Sequence, residues 1–288
     1  MIAYAGGSDD TTKLFDSSGP DVFAAYADQA TMRYPDGTTV EADDFRWMLA
    51  YGSSDGQVDT AQFYDTTADL ETSYATWFKA EDGFSKMYHD PAFYVQARQF
   101  DRVGATAVGG DDTAKLFDSA LDDSYWSRPN HSRMEYADGT YAEALDFRYA
   151  LGYSRHGTDT ATFHDETSAG TTYAARFVAG PDWAKLFDGA FYSRTEGFAT
   201  VRAALAGDDD LAWLYDDPTR VDRLLVSFPG DAGHAAAKAR WSTDNRAIYL
   251  DDFHTLTAIT SEELVDEKDV DAEYVDDVIL EGNWIDLP

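Results

Sequence analysis

Six copies of a seven-residue phrase constrain this chain more than any other feature of its sequence. The phrase has the approximate form Asp-x-Ala-x-Leu-Phe-Asp, with Phe in place of Leu and Tyr or His in place of Phe in some copies. The copies begin at Asp10, Asp59, Asp112, Asp159, Asp182 and Asp210. Because such self-similarity is the signature of repeat architectures, the sequence predicts an array of one structural unit rather than an ordinary globular core.

A second phrase, Phe-x-x-Φ-x-Ala with Φ apolar or aromatic, recurs about every 50 residues. Its copies begin at Phe45, Phe100, Phe147, Phe198 and Phe253, and the Phe147 copy ends in glycine instead of alanine. Half-period copies also occur, since the turn at Asp36-Gly37 matches the turn at Asp138-Gly139. The spacing indicates an elementary unit of about 24 or 25 residues.

Strict alternation inside the leading phrase is typical of a half-buried β-strand. Alanine and the large apolar residue are expected to face the core, as in Ala61 with Phe63 and Ala114 with Leu116, while the residue between them varies freely. The sequence therefore predicts an all-β fold over residues 1–260, a parallel β-solenoid (β-helix) of roughly 24–25-residue coils. The alternative is a β-propeller, whose blades also take about 40–50 residues. Residues 261–288 are expected to form an acidic C-terminal tail that could cap the last coil.

Composition narrows the possible partners. The chain is 44% hydrophobic and 15% aromatic, which argues against disorder despite a formal net charge of -32. That charge repels nucleic acid and anionic membrane surfaces, so we expect no nucleic-acid partner and no membrane insertion. The excess of Asp over Glu indicates adaptation to high salt, a bias that a calcium-dependent surface protein would share. There are no cysteines, which excludes disulfides and thiolate metal sites.

The aspartate that closes each phrase is the main candidate for chemistry. If the coils stack in register, these carboxylates form a column that could bind Ca²⁺. The competing interpretation is that each aspartate accepts backbone N–H bonds in its turn. The predicted metal ligands are Asp16, Asp65, Asp118, Asp165, Asp188 and Asp216.

Catalysis is not expected. No HExxH zinc motif, serine elbow, phosphate-binding glycine loop or cysteine nucleophile is present. Arg46 and Arg148 are repeat equivalents, so they indicate solvated faces or salt-bridge partners rather than a unique site. An aromatic residue or His precedes each closing aspartate, and such a column is expected to stack at a corner or, if exposed, to bind sugar rings. If the chain is an enzyme, a polysaccharide lyase or glycoside hydrolase is the alternative.

Two resemblances rest on particular residues. Leu116-Phe117-Asp118-Ser119 followed by Asp123-Ser124-Tyr125 resembles the tandem phrases of acidic extracellular repeat proteins of planctomycetes and related marine or halophilic microbes. Leu14-Phe15-Asp16-Ser17 followed by Asp21-Val22-Phe23 is the other good copy. The run Gly109–Leu116 is loosely similar to the calcium-binding repeats of repeats-in-toxin solenoids.

The first resemblance implies an extracellular or cell-surface location and a structural role. The array without a unique site, combined with the strong acidity, indicates a structural or adhesive module that is stabilised by salt or Ca²⁺. Expected partners are matrix or surface components, including glycans, and further copies of the same chain. Ile2 to Asp10 aligns with Val103 to Asp112, so the chain is expected to begin inside a repeat and to be a fragment of a longer protein.

Overall fold

The structure is a computed structural model. It describes residues 1–6, 9–54, 56–70, 73–167, 169–205, 210–215, 223–227, 238–243, 246–251, 255–259, 266–270, 278–281 and 284–286. All regular elements in these residues are β-strands. Among them there is accordingly no helix of the length and apolar character that crossing a membrane requires.

The strands are short, mostly of five residues, and follow one another closely along the chain. In order they are β1 (Ile2–Tyr4), β2 (Thr11–Phe15), β3 (Val22–Ala25), β4 (Gln29–Arg33), β5 (Thr39–Asp43), β6 (Trp47–Tyr51), β7 (Thr60–Tyr64), β8 (Trp77–Glu81), β9 (Phe84–His89), β10 (Phe93–Arg98), β11 (Arg102–Thr106), β12 (Thr113–Phe117), β13 (Ser124–Arg128), β14 (His131–Glu135), β15 (Tyr141–Leu145), β16 (Tyr149–Tyr153), β17 (Thr160–His164), β18 (Arg176–Ala179), β19 (Trp183–Phe187), β20 (Tyr192–Glu196), β21 (Thr200–Ala204), β22 (Leu211–Tyr215), β23 (Arg223–Ser227), β24 (Lys238–Thr243), β25 (Arg246–Asp251), β26 (Thr255–Ile259), β27 (Asp266–Val270), β28 (Val278–Glu281) and β29 (Trp284–Asp286).

The N-terminal unit comprises Met1–Leu121 and Asn130–Leu151. Its first sheet has the strand order β1-β5-β4-β3-β7-β11-β15-β14, and its second sheet has the order β2-β6-β10-β9-β8-β12. The chain alternates between the sheets, but β3–β5 and β8–β10 each form a three-stranded antiparallel meander within one sheet. Parallel pairs such as β2 with β6 and β7 with β11 join the successive turns of the solenoid.

The C-terminal unit comprises Asp122–Pro129 and Gly152–Pro288. It repeats the same plan, with the strand order β13-β17-β21-β25-β24-β23-β27-β29 in its first sheet and β20-β19-β18-β22-β26-β28 in its second. Three strands from the expected acidic tail add to these sheets, since β27 pairs parallel with β23, β28 with β26 and β29 with β27. The predicted boundary near residue 260 lies outside the described residues.

The predicted all-β solenoid is confirmed, and the parallel pairing between successive turns distinguishes it from a propeller of antiparallel blades. Strands that pair across successive turns lie farther apart in the sequence than the expected coil of roughly 24–25 residues. Thr11 pairs with Trp47 and Trp47 pairs with Tyr94, because strands of a meander or of the other sheet lie between them in the chain. The half-period turn at Asp36-Gly37 is the hairpin between β4 and β5, and not the corner of a separate coil.

The core lies between the two sheets of each unit, as the alternation predicts. Ala61, Phe63, Ala114 and Leu116 are fully buried, and so are their equivalents in the other complete copies of the phrase. The second phrase also supplies core rings, since Phe100 contacts Phe23 at a centroid distance of 6.1 Å. Alanine opposite large apolar side chains lets the two sheets approach closely while the rings fill the remaining space.

Candidate functional site

The closing aspartates do not form one column. Asp16, Asp118 and Asp188 follow strands of the second sheets, whereas Asp65 and Asp165 follow strands of the first sheets. Asp216 lies outside the described residues. The reason is that the chain changes sheets between successive copies among the first five, so these neighbouring copies end in different sheets.

The hydrogen bonds resolved for these aspartates are to backbone N–H groups. Val108 donates to both carboxylate oxygens of Asp65, at 3.0 and 2.9 Å, and Ala190 donates to Asp188 at 2.7 Å. The Asp188 bond is the turn bond of the competing interpretation, whereas the Asp65 bonds come from a residue 43 positions away in the chain. Within the part of the chain that the structure describes, no three His, Asp or Glu side chains are grouped so as to hold a metal ion. The Ca²⁺ assignment stays a prediction.

The aspartates that open the phrase have a structural role that the sequence reasoning missed. Each sits one residue before its strand, and in four copies its carboxylate accepts the N–H of the residue that precedes a neighbouring parallel strand. Asp59 accepts from Asp21 at 2.8 Å and Asp159 accepts from Asp123 at 2.5 Å. The same bond links Asp101 to Asp59, Asp112 to Thr76 and Asp210 to Ala175. The signal was present in the sequence, since this aspartate recurs in every copy.

Burial raises the carboxyl pKa of two of these opening aspartates, Asp59 and Asp112. Asp59 is fully buried, and desolvation raises the pKa of its carboxyl to about 6. The bond from the Asp21 N–H opposes this shift, while the neighbouring charges of Asp16, Asp21 and Asp101 add to it. Burial likewise raises the pKa of Asp112. The Asp59 carboxyl therefore stays protonated at pH values where an ordinary aspartate is ionised.

The free energy of unfolding of the unmutated chain should fall as pH rises from 4.5 to 7. We expect this fall to be smaller in Asp59→Asn. The folded state keeps the Asp59 proton up to about pH 6, whereas the unfolded chain releases it near pH 4. The stability from protonated Asp59 is therefore present at low pH and lost as pH rises through about 6. Asparagine keeps the acceptor oxygen without the charge. Urea unfolding at pH 4.5 and pH 7 should show a smaller difference in the variant.

Asp36→Asn is the control for this measurement. Asp36 is exposed, and hydrogen bonds from the Thr38 hydroxyl and N–H lower the pKa of its carboxyl. The stabilisation from ionised Asp36 is thus present at neutral pH and lost on acidification. The difference in free energy of unfolding between pH 4.5 and pH 7 should therefore be at least as large in Asp36→Asn as in the unmutated chain. Equal pH dependence in Asp59→Asn and the unmutated chain would contradict the assignment.

A row of aromatic side chains crosses the outer face of the second sheet in the N-terminal unit. The register places Trp47 beside Tyr94, Tyr94 beside Tyr88 and Tyr88 beside Trp77. The Trp47 and Tyr94 ring centroids are 4.8 Å apart, and those of Tyr94 and Tyr88 are 6.3 Å apart. Trp77 is 44% exposed. The row runs perpendicular to the strands, from β6 to β8.

A row of lysines lies next to this aromatic row. Lys86 pairs with Lys79 across β9 and β8, and Lys79 pairs with Lys115 across β8 and β12. Lys115 lies over the Trp77 ring at 4.9 Å and Lys86 over the Tyr88 ring at 4.8 Å. We call the two rows together the aromatic–lysine face: Trp47, Tyr94, Tyr88, Trp77, Lys86, Lys79 and Lys115.

The repulsion within the lysine row lowers the stability of the folded chain. Like charges directly opposite each other on neighbouring strands are destabilising. At about 5 Å the repulsion is roughly 0.8 kcal/mol per adjacent pair even at the dielectric constant of water. The ion pair of Lys79 with Glu81 and the ring contacts offset part of this cost. Three of the seven lysines in a chain of net charge -32 are nevertheless placed side by side.

The C-terminal unit provides an internal comparison, because its β18–β20 meander corresponds to β8–β10. There Val178 pairs with Lys185, and Lys185 pairs with Arg194. On the other side Val178 pairs with Trp213 of β22. Apolar residues thus occupy the positions of Lys79 and Lys115, so the lysine row is particular to one unit and is not a by-product of the repeat.

Two aromatic residues that precede closing aspartates stack on neighbouring tyrosines, but they do not form the expected column, because their strands lie in different sheets. Phe15 stacks on Tyr51 with centroids 5.1 Å apart, and Tyr64 stacks on Tyr26 at 4.6 Å.

A pocket lined by Trp183, Val201 and Ile248 has a cavity volume of about 20 Å³, which is room for about one water molecule. The space over Trp77, Lys79 and Lys115 is instead an open groove.

Comparisons of the chain with protein-family models, with curated proteins and with solved structures gave no match.

Proposed function

We propose that this chain is a non-catalytic structural or adhesive repeat module that acts outside the cell or at the cell surface. The solenoid supplies a stiff support, and its outward side chains contact other surface or matrix components, glycans among them. Further copies of the same chain are a second class of partner. The acidic surface suits a salty environment, where counter-ions screen its repulsion.

The observation that carries this proposal is the aromatic–lysine face. It is an outward, open surface on a regular sheet, with exposed ring area and aligned cations. A surface of this kind contacts an extended partner over several strands. A small substrate, in contrast, needs a concave site that surrounds it.

The arrangement of the aspartates supports the non-catalytic part of the proposal. General acid–base catalysis needs carboxylates that reach a substrate. The buried opening aspartates instead accept backbone N–H bonds from neighbouring turns, as Asp59 and Asp112 do. Their raised pKa values follow from burial between the strands, so these values do not by themselves indicate an active site.

Binding without turnover is the expected result when the chain meets polysaccharides. Immobilised neutral and acidic polysaccharides should retain the protein, and prolonged incubation should produce neither new reducing ends nor unsaturated products. The assay should be run with Ca²⁺ and with a chelator at matched ionic strength, which also tests the calcium prediction. Release of oligosaccharides would contradict the proposal and favour the lyase or hydrolase alternative. Failure to retain any polysaccharide would remove the glycan-binding part of it.

A further inference from the structure

We propose that the aromatic–lysine face binds an acidic polysaccharide that runs across the strands. Lys79, Lys86 and Lys115 would pair with its carboxylate or sulfate groups, and the aromatic row would pack against its sugar rings. This inference rests on the proposed adhesive function and names the partner class for one surface.

The geometry defines the direction of the ligand. Both rows follow the hydrogen-bonding direction of the sheet, where neighbouring strands are about 4.8 Å apart. Lysines on three consecutive strands, β9, β8 and β12, therefore present cations over roughly 10 Å. The aromatic row lies one side-chain step away along the strands, because Tyr88 and Lys86, like Trp77 and Lys79, are two residues apart. An extended polymer can contact both rows at once.

The contacts between the rows couple the two parts of the site. Lys115 covers the Trp77 ring and Lys86 covers the Tyr88 ring in the free chain. A lysine that turns towards an acidic group uncovers its ring, and the ring can then pack against the apolar face of a sugar. The cation–π contacts thus shield part of these two rings in the free chain, and an anionic ligand that draws the lysines away exposes more of their area.

The overall charge restricts the binding of polyanions to this face. A chain of net charge -32 repels polyanions at long range, so an anionic ligand needs a local cluster of cations. Nucleic acid carries a phosphate about every 3.4 Å along each strand, and most of these charges would remain unpaired here. A polysaccharide with one acidic group per one or two sugar rings has a sparser charge that matches a row of three lysines.

The test uses polygalacturonate and its methyl ester, which share the sugar backbone and differ in charge. Calorimetric titration should show that the unmutated protein binds polygalacturonate, with affinity that falls as salt rises. The methyl ester should bind at least 10-fold more weakly. The triple variant Lys79→Gln/Lys86→Gln/Lys115→Gln should lose at least 10-fold in affinity. Circular dichroism melting would establish that this variant is folded.

Lys185→Gln is the matched control, since Lys185 corresponds to Lys86 and also lies near aromatic rings, those of Trp183 and Phe187. Its affinity should stay within twofold of the unmutated protein. Equal binding of the methyl ester, or full binding by the triple variant, would overturn this inference and leave the adhesive function standing. Loss of self-association in the triple variant, without polygalacturonate binding by the unmutated chain, would assign the face to contacts between copies. Binding of single-stranded DNA in preference to polygalacturonate would also overturn it.

Discussion

Phe63→Ala is expected to lower the free energy of unfolding by about 3–5 kcal/mol. Phe63 is fully buried between the sheets of the N-terminal unit. Its ring contacts Phe23 at a centroid distance of 6.2 Å and Phe78 at 5.8 Å. Removing it takes away buried apolar surface and leaves a cavity that the hydrogen-bonded strands cannot close. Urea unfolding followed by far-ultraviolet circular dichroism would measure the loss.

Two further substitutions calibrate this result. Phe163→Ala removes the equivalent ring of the C-terminal unit, which contacts Tyr125 and Phe177, and should cost a similar amount. Phe15→Ala removes a ring that is 57% exposed and stacked on Tyr51, so it should cost about 1 kcal/mol or less. Comparable losses for Phe15→Ala and Phe63→Ala would contradict the placement of the core.

Gly197→Ala is expected to cost about 3 kcal/mol. Gly197 has φ of +87°, which costs an alanine about 1–2 kcal/mol. In addition, an added methyl group would collide with the backbone carbonyl oxygen of Ser154, and relieving that overlap costs about 1–3 kcal/mol more. The neighbouring strands cannot easily separate, because Ser154 donates its N–H to the Glu196 carbonyl at 2.8 Å. Thermal or urea unfolding of the variant would measure the loss.

Gly170→Ala separates the two contributions in the same unit. Gly170 has φ of +80° but no atom within 4 Å of the position that a methyl group would take. It should therefore lose only the conformational part, about 1–2 kcal/mol. If both glycine variants lose the same free energy, the close approach of the Ser154 carbonyl contributes nothing and the described packing at Gly197 is wrong.

The local structure could be predicted from the sequence because a strand shows its two faces directly. Ala161 and Phe163 alternate with variable residues, and both are fully buried. Repeat equivalence also indicated that Arg46 and Arg148 lie on solvated faces or form salt bridges, and the structure shows salt bridges, with Asp9 at 2.7 Å and Asp111 at 2.5 Å. These features depend on residues that are close in sequence or related by the repeat.

The meanders and the hydrogen bonds of the opening aspartates were harder to predict. A strand that continues a coil and a strand that reverses within a sheet have the same alternation, so periodicity does not distinguish β9 from β12. The direction of pairing then decides which aspartates are neighbours. Asp59 accepts the N–H of Asp21, which lies 38 residues away in the chain and outside every copy of the phrase. The sequence therefore drew attention to Asp65 and missed the role of Asp59.

The lysine row shows the same limit for the candidate site. Lys79, Lys86 and Lys115 are isolated cations in a sequence dominated by carboxylates, and no motif links them. They become neighbours because a hairpin pairs β8 with β9 and a turn of the solenoid pairs β8 with β12. Only the register of these strands brings the three charges onto one face.

Hydrogen–deuterium exchange in the presence of polygalacturonate tests the central claim most directly, because it locates the binding surface without a mutation. Bound polymer is expected to slow backbone amide exchange in β8, β9 and β12 of the N-terminal unit. The corresponding strands β18 and β19 should exchange at unchanged rates. Protection confined to segments that do not contain the aromatic–lysine face would contradict the account.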